Sequence, residues 1–308
     1  MIDLLSKRYL YFAVSLLVIL PGLILLATNG LPLAIDFTGG SLLEVQFEGG
    51  ETPQPGDLVT LYETAGIDDA QVQTTDAGTF VIRSSFLDNE TRDSVISAMQ
   101  TETGAQVEVI RFDSVGPSIG AQVTSRAALA VAAAALAVVI YITFAFSKVP
   151  NAFRYGVCAI IAMVHDVAVV FSVAGIGALL FDWQMDALFL TALLTVIGFS
   201  VQDKVVVFDR IRENTNIFRR LDYETLVNHS IVQTLQRSIN TQLMTVEFLL
   251  LALALFGGVT LQEFAVILLV GLFSGTYSSI FIAAPILVLW EKREWENWFR
   301  RSEHSHAS

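Results

Sequence analysis

Residues 195 to 214 read TVIGFSVQDKVVVFDRIREN. The stretch opens as a membrane-grade apolar run, is interrupted by Asp203 and Lys204, resumes through Val205, Val206, Val207 and Phe208, and ends in the charged cluster Asp209, Arg210, Arg212 and Glu213. A carboxylate far from water is costly unless it is paired, hydrated or protonated. Burial favours its neutral form and a nearby cation its ionised form, so an acid in this setting can act as a proton switch. Asp203 is open to that reading and to a plainer one, a helix-end acid reaching headgroup water. Lys204 lies one position on, about 100° around a helix, so its side chain diverges from Asp203. It is expected to stretch its apolar stem toward the membrane surface; the second reading is that it neutralises a neighbour's acid. His165 and Asp166 sit near the middle of another apolar run. Histidine titrates near physiological pH, and the pair suits either a proton relay or a polar contact between helices. Glu247 is a similar but weaker case. Asp209, Arg210, Arg212 and Glu213 have helical i,i+3 and i,i+4 spacing and fit a solvated interfacial helix or a partner contact.

The elements that carry these residues follow from the apolar blocks. The chain has 308 residues, of which 54% are hydrophobic and 16% charged, against about 25% charged in soluble proteins. Its mean hydropathy is +0.60. Blocks at 9–28, 127–146, 155–181, 187–208 and 264–290 approach or exceed the about 20 residues a spanning helix needs. A sixth, near 248–256, does so only if it begins at about Ile239 and includes Glu247. Six spans are expected. The first is read as a retained span, because no small-x-small cleavage site follows Thr28. The single cysteine, Cys158, excludes an intrachain disulfide and a cysteine-based metal site.

Charge orients the spans. Lys7 and Arg8, Lys148 and Arg154, the arginines 210 to 237, and Lys292 to Arg301 share one side, whereas loops 182–186 and 257–263 contain no Lys or Arg. The positive-inside rule then puts both termini of a multi-pass membrane protein in the cytoplasm. Residues 29–121 fall outside, with three arginines against fifteen acids, a formal charge of −12 equal to that of the whole chain. Nucleic acid is an unsuitable partner for such a surface. The expected divisions are 1–28, the N-terminus and first span; 29–121, the external domain; 122–290, a five-helix bundle; and 291–308, a cytoplasmic tail. That tail opens WEKREWENWFRR from Trp290, a mixture typical of membrane interfaces.

Within 29–121, SLLEVQF (41–47) and QVEVIRF (106–112) alternate as half-buried strands do. AQVQTT (70–75) and TFVIRSSF (79–86) are strand-like and are joined by the turn residues Asp76, Ala77 and Gly78. Residues 56–65 and 90–103 suit helices, the first closed by Gly66, the second capped by Asn89 and ended by Gly104. The order is βαββαβ, a small α+β, ferredoxin-like pattern. Two glycine-bearing linkers flank it, AIDFTGGS (34–41) and DSVGPSIG (113–120). They read as a pair of turns, or as a hinge or partner contact built on Asp36, Gly39, Gly40, Gly116 and Pro117. In the sixth span Gly271, Gly275 and Ser279 recur every four residues, a spacing for close helix packing within the chain or against a partner.

Six pieces in order carry a resemblance: DFTGGS (36–41), VGPSIG (115–120), HDV (165–167), ALLTVIGFSVQD (192–203), VVVFDRIREN (205–214) and QTLQRSINT (233–241). With six spans and an external domain after the first, the chain resembles the SecD/SecF family of protein-export membrane subunits, within the resistance-nodulation-division superfamily. The resemblance implies a SecF-like role with a separate SecD partner, beside the SecYEG translocon. That role is helping exported unfolded polypeptides across the plasma (inner) membrane at the expense of the proton gradient. It implies that Asp203 and Arg237 form the proton-coupling pair, with His165 and Asp166 as further candidates. The family usually has Asn-Asp followed by Thr or Ser where this chain has Gln202, Asp203 and Lys204, so the electrostatics around the acid must differ. Half of a small-molecule or lipid exporter of the same superfamily is the alternative, disfavoured by an external segment of only about ninety residues. No P-loop or catalytic-triad pattern occurs in the sequence. The expectation is a non-enzymatic protein with no cofactor or metal, whose partners are SecD, SecYEG, polypeptide and membrane lipid.

Overall fold

The structure is a computed structural model that describes residues 3–49, 52–75, 78–147, 152–242, 248–256 and 259–294. It separates into two compact units, Leu33–Leu129 and the remainder, Met1–Pro32 with Ala130–Ser308.

The Leu33–Leu129 unit begins with a single-turn helix α2, Ile35–Thr38, which follows α1, Arg8–Asn29. It continues through β1 (Gly40–Glu48), α3 (Pro55–Thr64), β2 (Gln71–Thr74), β3 (Phe80–Ser84), α4 (Asn89–Thr103) and β4 (Gln106–Val115). The strands form one antiparallel sheet in the order β2-β3-β1-β4, with Leu43 opposite Ile82 on one side and Phe112 on the other. A register shift in β1–β4 falls between Glu44 and Val45. Alternation decides which residues enter the core: Leu43 and Val45 of β1 and Phe80 and Ile82 of β3 pack on Leu58, Leu61 and Tyr62 of α3 and Val95 and Met99 of α4. Tyr62 is wholly buried, which pushes its hydroxyl well above the usual tyrosine range.

One cap differs from expectation. Asp88, not Asn89, is the N-cap of α4 and accepts from Thr91 N at 2.8 Å. The helix starts one residue earlier than its apolar pattern suggests, and that backbone N–H holds the Asp88 carboxyl below its ordinary range. Gly104, in the left-handed region at φ 64°, ends the helix as expected.

The second unit is helical. Its elements are α1, the C-terminal part of α5 (Pro117–Ala145), α6 (Ala152–Phe181), α7 (Ala187–Ile217), α8 (Tyr223–Gln242), α9 (Phe248–Phe256) and α10 (Val259–Ser278). A π-helical turn, Ser279–Ala283, and α11 (Ala284–Lys292) follow. Among the described residues, five helices are long and apolar enough to cross a membrane: Arg8–Asn29, Pro117–Ala145, Ala152–Phe181, Ala187–Ile217 and Leu261–Lys292. The sixth expected span would run from α8 into α9, across residues outside the described set; Glu247 and Lys148 lie outside it too, as does the tail beyond Glu294.

Small residues let these helices approach closely. A Cβ on Gly22 of α1 would lie 2.0 Å from Ser172 O of α6, and Ser172 Oγ donates to Val18 O at 2.7 Å. The π turn precedes Pro285, which has no backbone N–H to continue the helical ladder. The local re-registration carries Ser278 and Ser279 at the mouth of that turn.

Candidate functional site

Asp166 of α6 is completely buried and lies where α6, α7 and α10 meet. Its Oδ2 accepts from Lys204 Nζ at 2.7 Å, Ser200 Oγ at 2.6 Å and Ser278 Oγ at 2.7 Å. Its Oδ1 accepts from Ser274 Oγ at 2.8 Å and lies 3.1 Å from His165 Nδ1. Lys204 is also fully buried, and its ammonium donates in addition to Ser200 O at 2.9 Å and Ser200 Oγ at 2.6 Å. Two buried opposite charges are thus neutralised and hydrogen-bonded together, the condition under which buried charge is tolerated.

Of the two readings of Lys204, the structure replaces the first, a stem stretched to the membrane surface, with the second, a cation that neutralises a neighbour's acid. Helical side chains lean toward the helix N-terminus, so Lys204 runs back one turn along α7 to Ser200 and into the bundle. The lysine neutralises a neighbouring helix's acid, 38 positions away in sequence.

Asp203, one residue earlier, turns to a different helix. It is 6% exposed, and its Oδ1 accepts from Ser238 Oγ of α8 at 2.6 Å. Its Oδ2 is buried with no hydrogen-bond partner among the described residues. Arg237 is exposed, and no ion pair joins it to Asp203 among the described residues. The expected pair is therefore not formed in this conformation. The residue of α8 that bonds Asp203 is Ser238, the immediate neighbour of Arg237 in sequence. His165 does meet Asp166, and its ring stacks on Tyr277 of α10 with centroids 6.2 Å apart. Its Nε2 is buried without a partner among the described residues.

The remaining motif residues also pair off. Asn214, at the end of VVVFDRIREN, donates to Ser230 Oγ at 2.8 Å and Gln233 Oε1 at 2.9 Å, joining α7 to α8. Asp209 pairs with Arg212 at 2.6 Å and Arg210 with Glu213 at 2.7 Å; both are exposed i,i+3 pairs along α7. The two glycine-bearing linkers lie against each other inside the Leu33–Leu129 unit. A Cβ on Gly39, whose φ is +75°, would lie 2.9 Å from Pro117 Cα, and one on Gly120 would lie 2.5 Å from Gly39 N. Gly40 pairs with Val115, and Ser41 Oγ is 2.7 Å from Ser114 Oγ. Gly116 O accepts from Ile119 N and Gly120 N as α5 begins at Pro117. Asp36 stands in the first turn of α2, just before this clasp.

The small-residue face of α10 is spent inside the chain. A Cβ on Gly271 would lie 2.2 Å from Val196 Cγ2 of α7, and one on Gly275 3.4 Å from Ser200 Cα. A partner contact through that face, one of the two readings of the sequence, is thereby replaced by the internal one. Sequence reasoning missed the serines. Ser274 and Ser278 stand one turn apart on the glycine face, and Ser200 one turn before Lys204. Hydroxyls recurring at helical spacing opposite an intramembrane charge were the available signal.

A second charged cluster lies at the ends of the helical unit. Arg8, at the start of α1, pairs at 2.6 Å with both Glu224 of α8 and Glu294 after α11. Lys292 meets Glu224 at 2.6 Å and Asp222 at 3.2 Å. The Lys292 hydrogen bond holds the Asp222 carboxyl below its ordinary range.

Comparison with known proteins follows the same motifs. Residues 95–293 match the family model of the protein export membrane protein SecD/SecF, C-terminal, and residues 24–51 match the SecD/SecF GG motif. The protein translocase subunit SecF of Anaerolinea thermophila is 67% identical over 301 residues, covering 98% of each chain. That of Thermobaculum terrenum is 44% identical and covers both chains fully. The crystal structure of SecDF from Thermus thermophilus superposes with a TM-score of 0.78 at 31% identity, over 94% of this chain and 39% of that one.

Proposed function

The chain belongs to the SecD/SecF family of protein-export membrane proteins, and from that premise we propose that it acts as the SecF-type, non-enzymatic subunit of the protein translocase, coupling proton movement at Asp203 to polypeptide export. The observation that carries this is the half-satisfied, buried carboxyl of Asp203. A carboxyl oxygen with no donor in a dry setting is better served by a proton than by a charge. When water or a cation reaches it, ionisation becomes favourable. Arg237 is the cation within reach: it adjoins Ser238, which already touches Asp203, and a small rotation of α8 would exchange one for the other. The pair then belongs to a different state of the cycle. Asp166 and His165 act beside it as a fixed polar junction.

SecD is proposed as the partner. The Thermus thermophilus relative is named SecDF, and this chain aligns with 38% of its length, which supports association with SecD. SecD is met by surfaces other than the Gly271–Gly275 face. SecYEG and the unfolded exported chain complete the assembly.

Six spans are proposed, on parity. Arg8 at the start of the first span and Glu294 after the last are ion-paired, which supports both ends lying on one side of the membrane and an even number of crossings. Five long helices leave one to be made, and the segment from α8 into the apolar α9 supplies it. The positive-inside rule makes that side the cytoplasm of the plasma membrane, and the strand order of the Leu33–Leu129 unit supports a ferredoxin-like external domain.

The deciding experiment is proton-gradient-dependent translocation in vesicles carrying equal amounts of parent and Asp203→Asn. The amide keeps the shape and removes the titration, so gradient-dependent export should disappear. Export equal to the parent would reduce Asp203 to a structural polar residue. Labelling a cysteine introduced at Gln73 from outside intact cells tests the orientation; labelling at Thr225 instead would reverse it.

A further inference from the structure

The geometry points to a monovalent-cation site at the α6–α7–α10 junction that the chain has filled with its own ammonium group, that of Lys204. An ammonium has three N–H bonds, and Lys204 directs them at a carboxylate, a carbonyl and a hydroxyl: Asp166 Oδ2, Ser200 O and Ser200 Oγ, all within 2.9 Å. Hard oxygen donors of this kind suit an alkali ion. One carboxylate matches one positive charge and is too little for a divalent ion. The shell does not need the lysine to hold its shape. Ser274 and Ser278 of α10, Ser200 of α7 and His165 of α6 each contact the Asp166 carboxylate from their own helices.

Removing the Lys204 side chain would therefore leave a pre-built oxygen cluster with one net negative charge and a void in place of the stem. A diffusible alkali cation can then restore neutrality. In the parent chain the tethered cation excludes that ion. It makes Lys204 a specificity-determining residue, one that keeps Asp166 out of ion exchange and leaves Asp203 as the buried acid able to trade its charge. The site itself needs nothing from the transport reading, and its test reads ion binding rather than export.

The test uses the full-length chain in detergent, melted in choline, sodium or potassium chloride at equal ionic strength. The parent should melt at one temperature in all three salts. Lys204→Ala should melt lower in choline and recover by several degrees, saturably with concentration, in sodium or potassium, as linkage requires for a ligand that binds the folded state. Lys204→Met fills the space without charge and should melt low in every salt. Adding Asp166→Asn to Lys204→Ala should abolish the ion response. If Lys204→Ala will not fold in choline, recovery of monodisperse protein only when purified in sodium or potassium is the same result. The proposal fails if Lys204→Ala shows no alkali-specific recovery, or folds in none of the three salts. It fails equally if Lys204→Met recovers as well, or if the parent responds.

Discussion

Asp166 is contacted by five donor groups, those of Lys204, Ser200, Ser278, Ser274 and His165, whereas Asp203, on the neighbouring helix, has one hydrogen bond within normal geometry among the described residues, from Ser238. Both acids are buried in the same bundle, and depth alone would give them the same role. What separates them is satisfaction. Asp166 has a cation in contact and every lone-pair direction answered, so its charge is part of the fold. Asp203 has one oxygen bonded and one not, so its charge remains an open term that a rearrangement can change. A saturated acid holds helices together; a half-satisfied one can carry a proton.

The comparison predicts a graded series in stability. Asp166→Leu should have the largest effect, because it strands the Lys204 ammonium in a dry site; breaking a buried pair by removing one partner costs about 3–5 kcal/mol. Chemical or thermal unfolding of the purified chain measures it, and a loss under about 1 kcal/mol would mean water already reaches the junction. Next, the double change Asp166→Asn with Lys204→Met should cost less than the sum of its singles, by an interaction of about 1–3 kcal/mol in a double-mutant cycle. Additivity would show that the two groups do not share their energy. Ser238→Ala should cost about 1 kcal/mol, the worth of a typical hydrogen bond, and it should alter the pH dependence of gradient-driven export, since its hydroxyl donates directly to Asp203 Oδ1. Ser274→Ala, which removes one donor of several from Asp166, should leave that pH dependence where it was. The smallest change in stability, within about 0.5 kcal/mol, is expected for Asp203→Asn, together with the complete loss of coupled transport. If Asp203→Asn instead unfolds the protein, the two acids are alike and the distinction fails.

Much of the frame was legible in the residues. Long apolar blocks become long helices because a lipid-facing segment must satisfy its own backbone; α1, α5, α6 and α7 fall where those blocks lie. Alternation in SLLEVQF and TFVIRSSF led directly to the buried faces of β1 and β3. Glycines at the two linkers marked a tight place, but their mutual contact, Gly39 against Pro117 and Gly120, needed the fold. Asn89 lost the cap to Asp88 by one residue, a scale at which local pattern has little power.

What the residues determined by themselves is therefore everything that depends on near neighbours: which segments are helical, which are strands, and that Asp166, Asp203 and Lys204 are charges in an apolar setting. Helical periodicity relates a residue to those three or four positions away, so the shared face of Ser200 and Lys204 was available from spacing although it went unread. It cannot say how α6, α7, α8 and α10 are rotated about their axes relative to one another. That rotation, which the close approach of Gly271 to Val196 and Gly275 to Ser200 sets between α10 and α7 and the packing of α8 on α7 completes, decided that Lys204 turns inward to Asp166, that Ser238 meets Asp203, and that one buried acid is fully answered while the other is not.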